Sequence, residues 1–535
     1  MSASNPPLNR GTTTTTTTHP LSLWDQVAPR NYMSIVLCFS SAQTHPSAQL
    51  SVSNHLRTAL SRLASRRREF AGTLHLGGPG STNPHHVLLS TSPAHHIPLH
   101  VVDLYDESDT RYEGLREEGF PARVFVDRRL VVSGELRPGG KRVPVVQIRF
   151  VFVRGGFFLL VYLHHAFGDG SCMDALLKEL GDETRLGADL VVEDEQEETE
   201  EVDRTFDIDL PTGEGGGNGF DQLLKQCPEY GLLPEPTGPT QPILPPIEGI
   251  ECHDLEEKIF IIDKNRLDAV RQQLSNSTPC QGPQPTVSRY MTLAALTWAH
   301  TTRARLSTSC LSPSLLAHHQ PTLFNSHDWL SPTKNLFPTN HSLRHYFGNS
   351  ISWAVTRFPS TASLISSCLP SSPPSSSSSL NPLANLATGI SNFNTTISAP
   401  HIQTRTRLFS AIPDIRRLGL ALDARLPHYF SFNTWLHLGS RATFLFPSYG
   451  EGDDRQKKPD AIRRVQGNCG LPSALILPDV GTGEGEIWLL ITLEREAMGV
   501  LEGDGGWMGI CREVIGSASV LGETVGGDDD AAIFI

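Results

Sequence analysis

Apolar residues along the chain fall in short blocks, parted by polar stretches rich in Gly, Pro and Ser. The densest block is Phe157 to Leu163. A strand that is apolar on both faces belongs in the middle of a covered sheet. Val145 to Val153 precedes it, and Arg154-Gly155-Gly156 between the two reads as the turn of a β-hairpin. The block runs into His164-His165-Ala166-Phe167-Gly168-Asp169-Gly170. Ser171-x-x-Asp174 then predicts a capped helix start, and Met173, Leu176, Leu177 and Leu180 recur at helical spacing.

The same periodicities place other elements. Tyr32 to Phe39 predicts a strand, His55 to Leu63 a helix, Phe70 to Leu74 a strand entry and Tyr112 to Phe120 a short charged helix. Later, Lys258 to Ile262 predicts a strand, with helices over Arg266 to Leu274 and Thr292 to Arg305. Arg405 to Leu418 reads as a helix interrupted near Pro413. Tyr429 to Trp435, Thr443 to Phe446 and Gly485 to Leu493 predict strands, and Arg495 to Leu501 a closing helix.

Length changes the picture to two domains, because 535 residues exceed one typical core. Residues 1–20, with their threonine run, read as a disordered tail. Residues 21–190 form the expected first domain. Residues 191–250 are acidic, then Gly-rich, then Pro-rich, and read as a crossover linker. Residues 251–535 form the second domain, with a Ser/Pro-rich disordered insertion over 364–382.

Charge and cysteine usage exclude several classes. A net charge of −13 argues against a nucleic-acid binder. Nine scattered cysteines without a Cys-x-x-Cys pair suit reduced thiols in a cytoplasmic protein. No segment is apolar enough for a signal peptide or a membrane span. His85, His86, His95 and His96 lie in irregular sequence without the spacing of a helical ligand pair, so no metal site is expected.

His165 is the principal chemical candidate. It stands where a rigid strand ends and the backbone opens, and a neutral imidazole there can take a proton from an alcohol or amine near neutral pH. Asp169 reads as a brace for the loop through an ion pair, and Gly168 and Gly170 let the turn form and keep the approach open. The bland alternative is a buried histidine ahead of an ordinary helix cap. A metal reading of His164, His165 and Asp169 fails because neighbours on a strand face opposite ways.

Block after block, the sequence resembles the BAHD superfamily of CoA-dependent acyltransferases, and most of all its fungal branch containing the trichothecene 3-O-acetyltransferases. The matching blocks are Leu21 to Gln26 with Pro29-Arg30, Gly119 to Ala122, Val146 to Phe150 and the His-x-x-x-Asp-Gly at His165, Asp169 and Gly170. They continue with Ser288-Arg289, Leu293 to Trp298, Tyr346 to Asn349, Asn433-Thr434-Trp435, Lys458 to Asp460 and Leu493 to Asp504. Their order spans nearly the whole chain.

The resemblance implies an α/β fold of two similar chloramphenicol-acetyltransferase-like domains, each a mixed sheet flanked by helices, with a tunnel between them. It implies a soluble, cytoplasmic monomer. An acyl-CoA co-substrate, acetyl-CoA by family default, and a small alcohol or amine acceptor would enter from opposite mouths, with no permanently bound cofactor. His165 would be the general base. Asp169 would pair with Arg289, and Asn433, Thr434 and Trp435 would face the oxyanion, where each donor is worth roughly 3 kcal/mol. Trp298 reads as core, and Trp435 reads equally well as core or site. Lys457, Lys458, Arg463 and Arg464 are candidates for the CoA phosphates. One departure stands out. The family's Asp-Phe-Gly-Trp-Gly is represented here by Ser448-Tyr449-Gly450-Glu451-Gly452, in which Ser448 replaces an acid and Glu451 a tryptophan. Two competing readings follow: a condensation-type transferase fed by carrier-protein thioesters, and a catalytically weakened homologue that acts as a binding protein.

Overall fold

A computed structural model describes residues 16–41, 46–78, 83–107, 111–125, 129–186, 218–235, 255–277, 287–311, 319–330, 346–371, 380–394, 397–423, 425–447, 456–465, 471–480 and 485–519. The first part of the chain supplies β1 (Thr17–Pro20), β2 (Tyr32–Ser40), β3 (Thr73–Leu76), β4 (Val87–Thr91), β5 (Leu99–Asp103), β6 (Val143–Pro144), β7 (Val146–Val153) and β8 (Gly156–His164). Its helices are α1 (Leu23–Gln26), α2 (Pro46–Arg66), α3 (Tyr112–Glu117) and α4 (Gly170–Arg185). The later part supplies α5 (Asn218–Gln226), β9 (Tyr230–Leu232), β10 (Leu255–Asp263), α6 (Lys264–Ser277), α7 (Arg289–Thr308), β11 (Thr322–Asp328) and β12 (Ile351–Arg357). After these come β13 (Leu418–Leu420), β14 (Tyr429–Thr434), β15 (Ala461–Arg464), β16 (Ser473–Ile476), β17 (Glu486–Glu494) and β18 (Cys511–Ser519).

The sequence hairpin is β7–β8, and β8 is buried along its full length. It lies at the centre of a five-stranded sheet ordered β15-β2-β8-β7-β5, in which β5 and β7 are parallel and the other pairs antiparallel. Gly155 turns the hairpin at φ 91°, a backbone state that glycine adopts freely. At Gly156 a Cβ would come within 2.3 Å of the Tyr112 ring. The outer strand β15 comes from far along the sequence, pairing Ala461 with Cys38 and Arg464 with Ile35. The neighbouring Leu438, Ala442, Phe444 and Phe446 join the same core.

The second sheet has seven strands, ordered β12-β11-β14-β16-β17-β10-β18, with β11, β14 and β16 mutually parallel. One face packs on a helical core that includes Trp298 and Leu386. The opposite face meets Ala122 of the first part of the chain through Ile259, Ile261, Leu475 and Leu490. A third cluster gathers Trp24, Tyr230, Trp329, Ile402 and Phe409. Beside it the buried Glu229–Arg405 ion pair is held by two hydrogen bonds, at 2.6 and 3.0 Å.

Several local expectations are corrected. Thr17–Pro20, placed in the disordered tail, is a strand paired with β4, and the Thr17 and Thr91 hydroxyls meet at 2.8 Å. The 191–250 linker contains α5 and β9, because Phe220, Leu223 and Leu224 bury against the third cluster. The 364–382 insertion is ordered at both ends, where Leu364, Leu369 and Leu380 are core residues; 372–379 lie outside the described residues. The helix expected over Arg405–Leu418 runs over Ala399–Ala411 instead, with its N-terminus at Ser398 and a proline in its first turn. Thr443–Phe446 makes one bridge, Phe444 to Lys457, and no strand. The helix after the hairpin is capped by Asp169, two residues ahead of the expected Ser171.

Candidate functional site

Strand β8 ends at His164, and its two neighbouring histidines divide as a strand requires. His164 turns inward. Its Nδ1 accepts from the Ala166 N–H at 3.2 Å, so the ring proton sits on Nε2 and goes to the Gly134 carbonyl at 2.8 Å. Burial holds its pKa down to about 4. This ring is a neutral strut.

His165 lies past the strand end and is partly buried, with its Nδ1 shielded from solvent. Its backbone is clamped on both sides. The N–H donates to the Asn31 carbonyl at 2.8 Å, and the carbonyl accepts from Asn349 Nδ2 at 2.8 Å. Among the described residues its Nδ1 has no hydrogen-bond partner on another residue. Burial lowers its pKa below 6.5; its own carbonyl, the Asp169 charge, the Asn349 side chain and the Asp25 charge pull the other way. The imidazole is therefore neutral at pH 7 and able to accept a proton.

Asp169 is fully buried. Oδ1 caps α4 by accepting from Ser171 N at 2.9 Å and Cys172 N at 3.4 Å. Oδ2 accepts from Ser350 N at 2.7 Å and lies 3.0 Å from Ser350 Oγ. The same hydroxyl lies 3.0 Å from Asp328 Oδ1, and its single proton serves one carboxylate at a time. Burial raises the Asp169 pKa against these donors. At Gly168 a Cβ would come within 2.6 Å of Cys172 Cβ and 2.8 Å of its Sγ, so any larger residue there would have to displace Cys172. At Gly170 a Cβ would meet nothing within 4 Å.

The expected partner of Asp169 is corrected here. Arg289 does not pair with it. Arg289 opens α7 just after the Ser288 cap, and its 53% exposed side chain makes a bidentate pair with Asp268 on α6, Nε–Oδ1 at 2.9 Å and Nη2–Oδ2 at 2.6 Å. Asp169 is braced across the halves all the same, by Ser350.

Asn433 and Thr434 end β14, and Trp435 follows it. The Thr434 N–H donates to Asn433 Oδ1 at 2.7 Å, and Ser326 Oγ donates to it at 2.6 Å. This fixes the amide orientation and leaves Asn433 Nδ2 as its donor end. Thr434 is exposed; Trp435 is part-buried and packs against both the first core and the inter-half cluster. Among the described residues no hydrogen bond links the three to His165. Ser448, Tyr449, Gly450 and Gly452 lie outside the described residues.

The phosphate candidates are corrected in part. Arg463 is buried, donating to Phe120 O at 3.2 Å and Gly119 O at 2.7 Å, with its guanidinium 4.6 Å from the Trp488 ring centre. It rivets β15 to the second sheet and is closed to a ligand. Arg464 is likewise committed, to Glu257 of β10 at 2.5 Å. Lys458 is exposed. Lys457 lines an open groove of about 500 Å³ with Ser40, Ser41, Arg111, Glu113, Arg154 and Gly155. The groove lies at the hairpin end of β8, where Gly156 is nine residues, or roughly 30 Å along the strand, from His165. Among the described residues no group of three His, Cys, Asp or Glu side chains gathers to hold a metal ion, and no helix is long and apolar enough to cross a membrane.

Asp25, Asn349 and Ser350 carry the site's second layer without having been assigned roles from sequence. A signal did exist for Asp25, since Ser22-x-x-Asp25 is a capping-box spacing, and the box is formed.

Residues 31–182 match the family described as the trichothecene 3-O-acetyltransferase-like N-terminal domain. No curated protein sequence gives a match. Among solved structures, F. sporotrichioides TRI101 complexed with coenzyme A and T-2 superposes with a TM-score of 0.65 at 20% identity, over 94% of this chain and 100% of that one. F. graminearum TRI101 with coenzyme A and deoxynivalenol gives 0.66 at 17% identity and the same coverage. Vinorine synthase gives 0.50 at 13%, over 92% and 93%. The fold is thus the two-domain BAHD acyltransferase fold. Within it, residues 31–182 carry the trichothecene 3-O-acetyltransferase-like N-terminal domain, and the whole chain is similar in fold to TRI101 over nearly its full length.

Proposed function

We propose that the chain is an acyl-CoA-dependent O- or N-acyltransferase acting on a small hydroxylated secondary metabolite. The observation that carries this is His165, a neutral, half-buried imidazole at a rigid strand end, whose turn is tied to the second half through Asn349 and Ser350. The likeness to TRI101 complexed with coenzyme A and T-2 supports both a CoA donor and a small-molecule acceptor.

In this reading a tunnel between the halves admits both substrates. The acceptor hydroxyl gives its proton to His165 as its oxygen attacks the thioester carbonyl. Collapse of the tetrahedral intermediate expels the thiolate, and the imidazolium returns the proton to sulfur, giving ester and free CoA. Asn433, through Nδ2, is the candidate donor to the oxyanion, with Thr434 and Trp435 on the substrate side. Asp169 acts as a loop brace. Acetyl is the preferred acyl group, the protein works in the cytoplasm as a monomer, and Lys457 and Lys458 are the remaining basic candidates near the co-substrate.

The test supplies purified protein with acetyl-CoA and a panel of hydroxylated sesquiterpenes and follows thiol release. Turnover that His165→Ala abolishes supports the proposal. Turnover only when the acyl group arrives on a pantetheinyl carrier would replace it with a condensation-type reaction. CoA binding without turnover of any acceptor would replace it with a binding role.

A further inference from the structure

We infer that Asp25 is a positioning residue for His165, acting through Asn349. The inference deepens the proposed function and rests on His165 being the base.

Asp25 has no solvent exposure, and its carboxylate is saturated from two directions. Oδ2 accepts from Ser22 N at 3.2 Å and Ser22 Oγ at 2.8 Å. Oδ1 accepts from Asn349 N at 2.8 Å and Asn349 Nδ2 at 2.8 Å. The second hydrogen of that same amide goes to the His165 carbonyl at 2.8 Å. Both protons of one NH2 are thereby assigned, one to a buried carboxylate and one to the backbone of the base. A charge-assisted bond is stronger and shorter than a neutral one, so Asp25 fixes the amide that fixes the turn.

Capping α1 does not account for this arrangement. The helix has four residues, and an ordinary surface cap would serve it. A carboxylate removed from water is costly unless its acceptors are filled, and here half of them are filled by Asn349, 324 positions away. Space is kept for that contact: a Cβ on Gly348 would come within 3.1 Å of Asp25 Oδ1 and 2.7 Å of the Tyr346 hydroxyl. The Tyr346 hydroxyl itself donates to the Asn349 carbonyl at 3.0 Å.

The consequence is both geometric and electrostatic. The bridge holds the His165 carbonyl, and with it the direction of the ring. The Asp25 charge favours the imidazolium that forms as the acceptor gives up its proton. The ionisable groups around His165 are Asp169 on its own turn, Asp25 on α1, the neutral His164 behind it and Asp328 across the Ser350 hydroxyl.

The experiment uses the full chain with Asp25→Asn, Asn349→Ala and both together. The His165 ring is titrated by NMR, its signal assigned by its absence in His165→Gln, and kcat and KM are measured across pH. Asp25→Asn keeps an acceptor and removes the charge, so the His165 midpoint and the acid limb of kcat should move to lower pH. Asn349→Ala should lower kcat about 10- to 100-fold with both KM values nearly unchanged, and the double variant should be no worse than Asn349→Ala. A variant of merely structural effect would lose melting temperature and leave the midpoint in place. Wild-type kcat and an unmoved midpoint in folded Asp25→Asn and Asn349→Ala would overturn the inference. Should Asp25→Asn fail to fold, Asn349→Ala, which leaves the cap intact, decides. Absence of turnover in the wild type would overturn the acyltransferase reading instead, and the NMR midpoint would still judge the role of Asp25.

Discussion

Ser350 donates its backbone N–H to Asp169 Oδ2 at 2.7 Å across 181 positions of sequence. The loop carrying His165 is therefore registered against the second half by a main-chain donor, which no substitution at 350 other than proline removes. A brace of this kind is insensitive to the charge of distant arginines.

Asp169→Ala should consequently destabilise the protein by about 2–4 kcal/mol, since it strips a helix cap and leaves a buried donor unmet. Asp169→Asn should lose less. Arg289→Ala removes an exposed pair and should change stability by less than about 1 kcal/mol, with kcat unaltered. Denaturation midpoints and initial rates of the three variants check this ordering.

His165→Ala should reduce kcat by about 10²- to 10⁴-fold, the usual range for one general base. The Asn31 and Asn349 contacts are to its backbone, so its melting temperature should stay close to wild type. Single-turnover thiol release alongside a melting curve separates the two effects.

The pH dependence of stability should carry the mark of His164. Its folded pKa is lowered to about 4 from 6.5. Between those values the unfolded chain takes a proton that the folded one refuses, so stability is complete above pH 6.5 and declines as pH falls toward 4. The full gap corresponds to about 3 kcal/mol. His165, also lowered by burial, acts in the same direction. Melting temperature measured from pH 7 to pH 4 should fall less steeply in His164→Gln, whose amide can still donate to Gly134.

Arg463→Lys should weaken the fold without touching co-substrate binding. The guanidinium donates to Gly119 and Phe120 and stacks on Trp488, a fork that an ammonium cannot reproduce. A loss of about 1–3 kcal/mol is expected, with KM for acyl-CoA unchanged. A raised KM at wild-type stability would return Arg463 to the phosphate site.

The hairpin, its turn and His165 were legible because β8 is apolar without interruption and ends in a polar turn, a pattern fixed by local sequence. The expected core placement of Trp298 also holds, for the same reason: α7 is buried almost all round. Partners were not legible. Arg289 follows Ser288 as the resemblance implies, yet whether it meets Asp169 or Asp268 depends on how α6 and α7 pack, which periodicity does not encode. Arg463 and Arg464 read as candidates for the CoA phosphates until β15 is seen to pair with β2. The strand at Thr17–Pro20 escaped because its partner β4 is 70 residues away and its own composition is that of a tail.

The donated strand β15 has a practical consequence. A fragment ending after the crossover would leave the Ile35–Cys38 edge of the first sheet with unmet N–H and C=O groups and an uncovered apolar flank. Such an edge invites intermolecular pairing. The two portions of this polypeptide are thus best obtained by co-expression, and a chimera that exchanges one for a homologue's must carry residues 438–465 along with the amino-terminal piece.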